Sequence, residues 1–480
     1  MIGIESYGVV GIYTKIFIFM SLFDFGISTA VNRQLSLLNM ENSDHINKIK
    51  QYIFTFELIY WAIGFFLAAL IFFFAPFSAV WINDASLPHA KLVESFYIMA
   101  VVIFFQWPIT FYSGVYFGLD KHVALNVLKA IQAILQWGGV YGILMYFSNS
   151  LKSFLIWQLL TSVVIVIVMR FIIEIMLRKC EKDRQSYSFN PLLWQKGKAY
   201  FQGLTLMSLV AIVLSQVDFF LIPKLSSTPL ATMGIYTVVF QLAGGMHYIG
   251  QPVYATIFPR LSVFSEQLEI KLLSDFYHRS SQILGVIVIP IAVTIAIFST
   301  EILSIWSKNQ ELVDQLSELL SIMVIGTMLN VLALMPLGLQ LSNKWTSLTT
   351  KFNLVLLLIH IPILYFFMPL YGLKVVTLSW LGLNFTYITI YSFLMHKRLL
   401  QGEFFYWFKS CFLIPFVISL IWIASLKYLI VNYTPNSVGI IAMTMIYLAA
   451  FLLCIFVLPQ TRSIGLSMFT SFYSRFYRPQ

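Results

Sequence analysis

Charge is what this sequence has least of. Only 10% of its 480 residues are Asp, Glu, Lys or Arg, while 59% are hydrophobic, and the mean hydropathy is +0.84. A water-soluble domain is about one quarter charged because its surface must face water, so most of this chain's surface must face lipid. Cysteine is scarce too. Cys180, Cys411 and Cys454 stand apart with no CxxC pair or histidine cluster beside them, which excludes a disulfide framework and a cysteine-based metal site. No GxxxxGK[ST] loop occurs and no connection is long enough for a nucleotide-binding domain, so direct ATP hydrolysis is excluded. HExxH and GxSxG are missing as well. The opening residues lack a charged region followed by a short apolar stretch and a cleavage site, so no cleaved signal peptide is expected.

What is present is a series of long apolar runs, at 7–33, 46–75, 92–118, 122–148, 152–177, 199–223, 228–258, 274–300, 312–341, 345–369, 371–396, 404–430 and 436–459. Crossing a hydrocarbon core takes about 20 apolar residues as a helix. The runs are continuous rather than alternating, so helices are expected and a barrel is not: an all-α, multi-pass membrane protein of about thirteen spans. The longest polar connection, Arg178 to Lys198, holds six basic residues and separates two halves. With that loop inside, alternate connections place 21 Lys and Arg on the inner side and 7 on the outer, counting Lys15 among the latter. The positive-inside rule then puts the C-terminus in the cytoplasm. The net charge of +10 is spread over short loops, which suits orientation in a membrane and not nucleic-acid binding.

An internal repeat accompanies this pattern. Gly11-Ile12-Tyr13-Thr14 recurs as Gly234-Ile235-Tyr236-Thr237, and the same offset of 223 carries Asp24 onto His247 and Lys121 onto Lys344. The second half has a run, 199–223, ahead of its copy of residue 11, whereas the first half has none. The pattern predicts a fourteen-helix plan whose first helix, of about 25 residues, is not in this chain. The expected organisation is an N-terminal lobe (1–180), a cytoplasmic connection (181–198), a C-terminal lobe (199–398), then two extra helices and a basic tail (399–480). Two parallel six-helix repeats suit alternating access about a central cavity.

Polar residues inside the runs are the candidate site. Asn126, Lys129, Gln132 and Gln136 recur every three or four residues and would share one helix face, either lining a cavity or bonding to a neighbouring helix. Lys129 suits an anionic headgroup. Arg33 is either a phosphate contact or a membrane anchor, and Asp24 either binds a cation or proton or pairs structurally. Glu57 lies near mid-depth, where a desolvated carboxyl can exchange a proton; the competing reading pairs it with a base such as Lys129. His247 is a third ion-coupling candidate, or a packing residue. Arg260 is the approximate counterpart of Arg33 in the second half. Asp218 and Lys224 are read as surface residues at the outer end of their helix, and Arg170 and Glu174 as span-end residues that snorkel. Pro108 and Pro336 each interrupt a helix.

The chain resembles the Wzx-type O-antigen flippases of the multidrug/oligosaccharidyl-lipid/polysaccharide (MOP) superfamily. The resemblance rests on Gly3-Ile4-Glu5-Ser6-Tyr7-Gly8, Leu22-Phe23-Asp24-Phe25-Gly26-Ile27-Ser28 and Arg33, and in the second half on Gln216-Val217-Asp218-Phe219-Phe220 and Met233-Gly234-Ile235-Tyr236. It implies two pseudo-symmetric lobes around a cationic cavity, matched by Lys129 and Arg33. It implies transport of undecaprenyl-diphosphate-linked oligosaccharide across the bacterial cytoplasmic membrane, driven by an H⁺ or Na⁺ gradient without a cofactor. The expected partners are membrane lipid, the glycosyltransferases and a polysaccharide polymerase. A cation-coupled MATE-type drug exporter, a lipid II flippase and a membrane polymerase or ligase are the alternatives. The short outer connections disfavour the last, so no enzyme is expected.

Overall fold

An apolar run in lipid must satisfy its own backbone, and the helix is the solution available to a single run. The computed structural model describes residues 3–24, 27–40, 46–82, 84, 86–178, 190–267, 269–433 and 440–458, and among these every regular element is helical. Eleven helices are long and apolar enough to cross a membrane, or twelve if the pair Pro229–Gly244 and His247–Glu266, bent by 41°, is one span. The expected count of thirteen is not reached among the described residues. Its last segment coincides with a helix at Ile440–Val457, of which Met445–Ile455 forms a shorter apolar helix.

The chain divides into two compact units, Met1–Gly234 and Ile235–Gln480. The first holds α1 (Ile4–Met20), a 3-10 turn at Ser21–Asp24, α2 (Ile27–Met40), α3 (Ile46–Ile82), α4 (His89–Gln106), α5 (Pro108–Gly118), α6 (His122–Ala133), a π-helical turn at Ile134–Gly138, α7 (Gly139–Tyr146), α8 (Leu151–Arg178), α9 (Pro191–Leu225) and the start of α10 (Pro229–Gly244). The second holds α11 (His247–Glu266), α12 (Ile270–Ile297), α13 (Ser299–Trp306), α14 (Gln310–Leu332), α15 (Leu334–Ser342), α16 (Ser347–Tyr371), α17 (Leu373–Thr386), α18 (Ser392–Leu399), α19 (Phe404–Trp407), α20 (Ile414–Tyr433) and α21 (Ile440–Val457).

The offset of 223 is visible in the fold. It carries α1 onto α10, α2 onto α11, α3 onto α12, α4 onto α14, α5 onto α15, α6 onto α16 and α8 onto α17. Packing partners recur with it: α3 on α4, α2 on α5 and α4 on α8 in the first unit become α12 on α14, α11 on α15 and α14 on α17 in the second. Both copies turn from one span to the next through a non-glycine residue in the left-handed region, Asp120 and Lys344, each with φ of 57°. Both copies also break a span at the predicted prolines. Pro108 begins α5 directly after Trp107, and Pro336 lies just past the junction of α14 and α15, where it cannot donate to the Leu332 carbonyl.

One crossing requires glycine. A Cβ on Gly8 would lie 2.1 Å from the Leu230 carbonyl oxygen, and one on Gly234 would lie 2.1 Å from that of Ile4. The starts of α1 and α10 therefore touch backbone to backbone, as small residues allow in membranes. This seats the first span differently from the expected 7–33. The 3-10 turn ends it at Asp24, the span covers Ile4–Asp24, and Lys15 is buried inside it instead of sitting at an outer boundary.

Candidate functional site

Helix α3 supplies the backbone of the site. Glu57 and Tyr60 lie one turn apart on it and reach different neighbours. Glu57 Oε1 accepts from Tyr112 Oη of α5 at 2.6 Å and from Arg170 Nε of α8 at 2.8 Å. Arg170 also donates through Nη1 to Glu174 Oε2 at 2.9 Å, one turn along its own helix. The guanidinium is thus held between two carboxylates, with Glu57 the more enclosed at 12% side-chain exposure against 35% for Glu174. Trp61 Nε1 donates to Tyr112 Oη at 3.4 Å. A turn away, Tyr60 Oη donates to Asp24 Oδ1 at 2.5 Å, and Ser28 gives Asp24 its amide at 3.2 Å and its hydroxyl at 2.9 Å. Rings of Phe56, Trp107, Phe111 and Tyr116 pack around these polar groups.

Helix α1 carries a second buried charge. Lys15 is 2% exposed and lies within electrostatic reach of Asp218 of α9, itself 7% exposed. This overturns the surface reading of Asp218. Beside these two residues an apolar cleft of about 390 Å³ opens between α1, α3, α4 and α9, lined by Ile16, Phe19, Phe23, Phe74, Trp81 and Phe220 among others.

The structure places the other sequence candidates apart from this network. Lys129 is exposed, its Nζ 5.9 Å from the centroid of the Phe117 ring, and does not touch Glu57, whose basic partner is Arg170. The expected polar face of 122–148 is split. Asn126 and Lys129 are exposed, whereas Gln136 is buried and its carbonyl accepts from Gln158 of α8 at 3.4 Å. Gln136 lies in the π-helical turn at Ile134–Gly138, where the chain packs on α8. Gln132, half-buried, donates to Gln136 at 3.4 Å. Arg33 lies on α2, and its side chain is outside the described residues. In the second unit His247 opens α11 half-buried, next to the bend, and Arg260 is exposed on the same helix.

That unit has a buried polar cluster of its own, and a part-buried ion pair of Lys427 on α20 with Glu301 on α13 at 2.8 Å. His278 Nε2 donates to Glu403 Oε2 at 2.7 Å, and Ser274 Oγ to the same oxygen at 2.6 Å. Nearby, both amide atoms of Gln282, Nε2 of His396 and Nε1 of Trp407 are buried with no hydrogen-bond partner among the described residues.

The residues that sequence reasoning missed are Arg170, Glu174, Tyr112 and Lys15. Arg170 and Glu174 did carry a signal: an i, i+4 charge pair inside an apolar run is a pairing pattern, not a snorkelling one. Tyr112 carried none, as one of 25 tyrosines.

A model of the family described as polysaccharide biosynthesis protein matches residues 1–312. The chain belongs to that family. A Shigella flexneri protein named as a candidate O-antigen transporter is 20% identical over 379 residues, covering 79% of this chain and 87% of the relative. Two solved structures share the fold. A multidrug resistance MATE-family transporter of the MOP superfamily, in an inward-facing conformation, aligns with TM-score 0.69 and 11% identity over 83% of this chain and 91% of its own. The lipid II flippase MurJ, in an inward closed conformation, aligns with TM-score 0.65 and 14% identity over 99% and 98%. The expected multi-pass membrane architecture of the MOP type is therefore borne out in family and fold.

Proposed function

We propose that the protein is a flippase that moves a lipid-linked oligosaccharide from the inner to the outer leaflet, with an ion gradient supplying the drive. The observation that carries this reading is a set of paired charges inside the spans of a chain that belongs to a polysaccharide biosynthesis family. A charged side chain at the centre of a span costs about 2.5–3.5 kcal/mol, so a scaffold has no reason to keep Glu57, Lys15 and Asp218 within their spans. The apolar cleft beside α1 suits a polyprenyl tail. Arg33, Lys129, Asn126, Gln132, Gln136 and Arg260 remain proposed contacts for the diphosphate and sugars, and Asp24 and His247 further proposed coupling groups.

The coupling step follows from the geometry. Protonating Glu57, or placing a cation on it, cancels its hold on Arg170 and leaves that guanidinium to Glu174 one turn away. An ion thereby moves a fixed charge between α3 and α8, which is a means of biasing two conformations. The lobes at 1–180 and 199–398, the extra C-terminal pair, the cytoplasmic tail and the bacterial inner membrane are parts of the same proposal. Nothing in this scheme makes or breaks a covalent bond, so the reading is of a transporter and not an enzyme.

A second reading has a specific observation behind it. Asp24, Glu57, Glu174 and Asp218 put four carboxylates within the spans of the first unit, which suits export of a cation in the manner of a MATE protein. The experiment that separates them is complementation. The chain is expressed in a bacterium lacking its own flippase, supplied with a matching glycan pathway, and surface polysaccharide is assayed beside resistance to cationic drugs. Restored polysaccharide is expected; drug resistance without polysaccharide from inserted protein overturns the flippase reading.

A further inference from the structure

The spans formed by α17–α18 and by α19–α20 meet in a tight turn. The Leu400 amide donates to the His396 carbonyl at 2.9 Å and the Glu403 amide to that of Leu400 at 3.2 Å, while Gly402, at φ 83°, supplies the left-handed residue the reversal needs. Under this turn lies a cavity of about 330 Å³ with two unlike walls. Phe393, Phe404 and Phe405 form one, and Lys397, Gln401 and His396 the other. Phe405 is 73% exposed and Phe393 43%.

The charges around the cavity are mostly positive. Lys397 is exposed and makes no ion pair among the described residues. The acid nearest in sequence, Glu403, is turned away to His278 and Ser274. Arg398 stacks on the Trp345 ring, 4.3 Å from its centroid, which leaves Lys397 as the cation at the opening. His396 is fully buried in the wall. Its Nδ1 donates to the Ser392 carbonyl at 2.7 Å, and its Nε2 has no hydrogen-bond partner among the described residues. Lys271, Arg279 and Lys409 are exposed on α12 and α19–α20 near this turn, and with Lys397 and Arg398 they outnumber the neighbouring acids Glu269, Asp275 and Glu403, so the local field is positive.

We infer that this cavity binds the headgroup of an anionic phospholipid, with Lys397 on the phosphate and the phenyl rings of Phe393 and Phe405 against the glycerol and first acyl carbons. The position decides for a lipid over a soluble anion. The cavity lies where one span ends and the next begins, so its exposed rings are level with acyl chains, and a free phosphate would leave them uncovered. The unpartnered Nε2 of His396 adds an acceptor for a hydroxyl of the headgroup. This inference does not depend on the flippase reading, because its test reads lipid occupancy and not transport.

The test uses the full chain in nanodiscs of phosphatidylcholine with a minor fraction of phosphatidylglycerol, with retained lipid counted by native mass spectrometry. Retained phosphatidylglycerol is expected in the wild type. Lys397→Gln should lower its occupancy by roughly fivefold, the value of one lysine at a charged membrane surface, and Lys397→Arg should keep it. Phe405→Ser should lower it with the charge intact. Lys271→Gln, at the same end but outside the cavity, should leave it unchanged. Equal losses from Lys271→Gln and Lys397→Gln would overturn the site in favour of general surface charge. In nanodiscs of phosphatidylcholine alone, inorganic phosphate should not bind; phosphate binding that Lys397→Gln abolishes would overturn the lipid as its source.

Discussion

The two repeats share a fold and divide the chemistry unequally. At the offset of 223, Lys15 corresponds to Val238, Glu57 to Ser280, Tyr112 to Met335, Arg170 to Phe393 and Glu174 to Lys397. The same helices pack in the same order, yet among the described residues no counterpart of the Glu57–Arg170–Glu174 network forms at these positions of the second copy. In its place the second copy buries Gln282, His278 and His396, which are neutral or conditionally charged. The second unit's ion pair of Lys427 with Glu301, at 2.8 Å, joins α20 to α13 and has no part in the repeated helix pairs. The asymmetry separates what the fold requires from what the first unit does.

The largest expected effect falls on what the copies share. Gly8→Ala puts a methyl 2.1 Å from the Leu230 carbonyl oxygen, a backbone atom that cannot turn aside. Overpacking of this kind costs about 3 kcal/mol or more, so monodisperse protein in detergent should be nearly lost; a normal yield would mean that α1 and α10 do not cross there. Next comes the network. Arg170→Leu leaves Glu57 enclosed without its cation, a loss of about 2 kcal/mol given the partial exposure of the pair. Surface polysaccharide should fall about tenfold or more. Glu57→Gln should reduce transport and flatten its dependence on the ion gradient. Ser280→Ala and Met335→Leu, at the equivalent positions, should change little. Equal damage in both copies would dissolve the asymmetry.

The fold was largely legible because span length and the repeat are one-dimensional signals. The runs at 46–75, 274–300 and 312–341 lie on α3, α12 and α14–α15, and the offset read from Gly11 and Gly234 predicts which helices pair. The site was legible only where a charge stood alone in an apolar run, as with Glu57 and Asp24. Which partner a charge takes is a three-dimensional fact. Lys129 lies on α6, which packs chiefly on α5 and α8, while Arg170 reaches Glu57 from 113 residues away. Periodicity brought Gln132 and Gln136 together, but it does not tell which end of a polar stripe a neighbouring helix covers: Gln136 is buried against α8, and Asn126 is exposed.

A smaller effect tests the second copy. Gln282 is fully buried with both amide atoms unpartnered among the described residues, so Gln282→Leu should stabilise the fold by about 1–2 kcal/mol. A thermal-unfolding curve that moves up with transport unchanged would mark the amide as dispensable. One that moves up while export falls would assign the second repeat a polar role that the charge comparison hides.

The smallest effect concerns a contact that ties the first unit's loop to α10. Asp84 Oδ2 accepts from the Leu230 amide at 2.7 Å, at the positive end of that helix, and Oδ1 from the Ser86 amide at 2.8 Å. Burial pushes its carboxyl up, but the Ser86 hydroxyl and the two amides together outweigh this and hold it below its ordinary value. A carboxyl depressed in the folded state contributes stability that is present above its unfolded value and lost as pH falls through the folded one. Asp84→Asn should therefore cost about 1 kcal/mol at neutral pH, and the gap from wild type should close as pH is lowered through the carboxylate range. No gap at neutral pH would leave α10 held by its glycine crossing alone. A gap that widens in acid would mean that burial, and not the amides, sets this carboxyl.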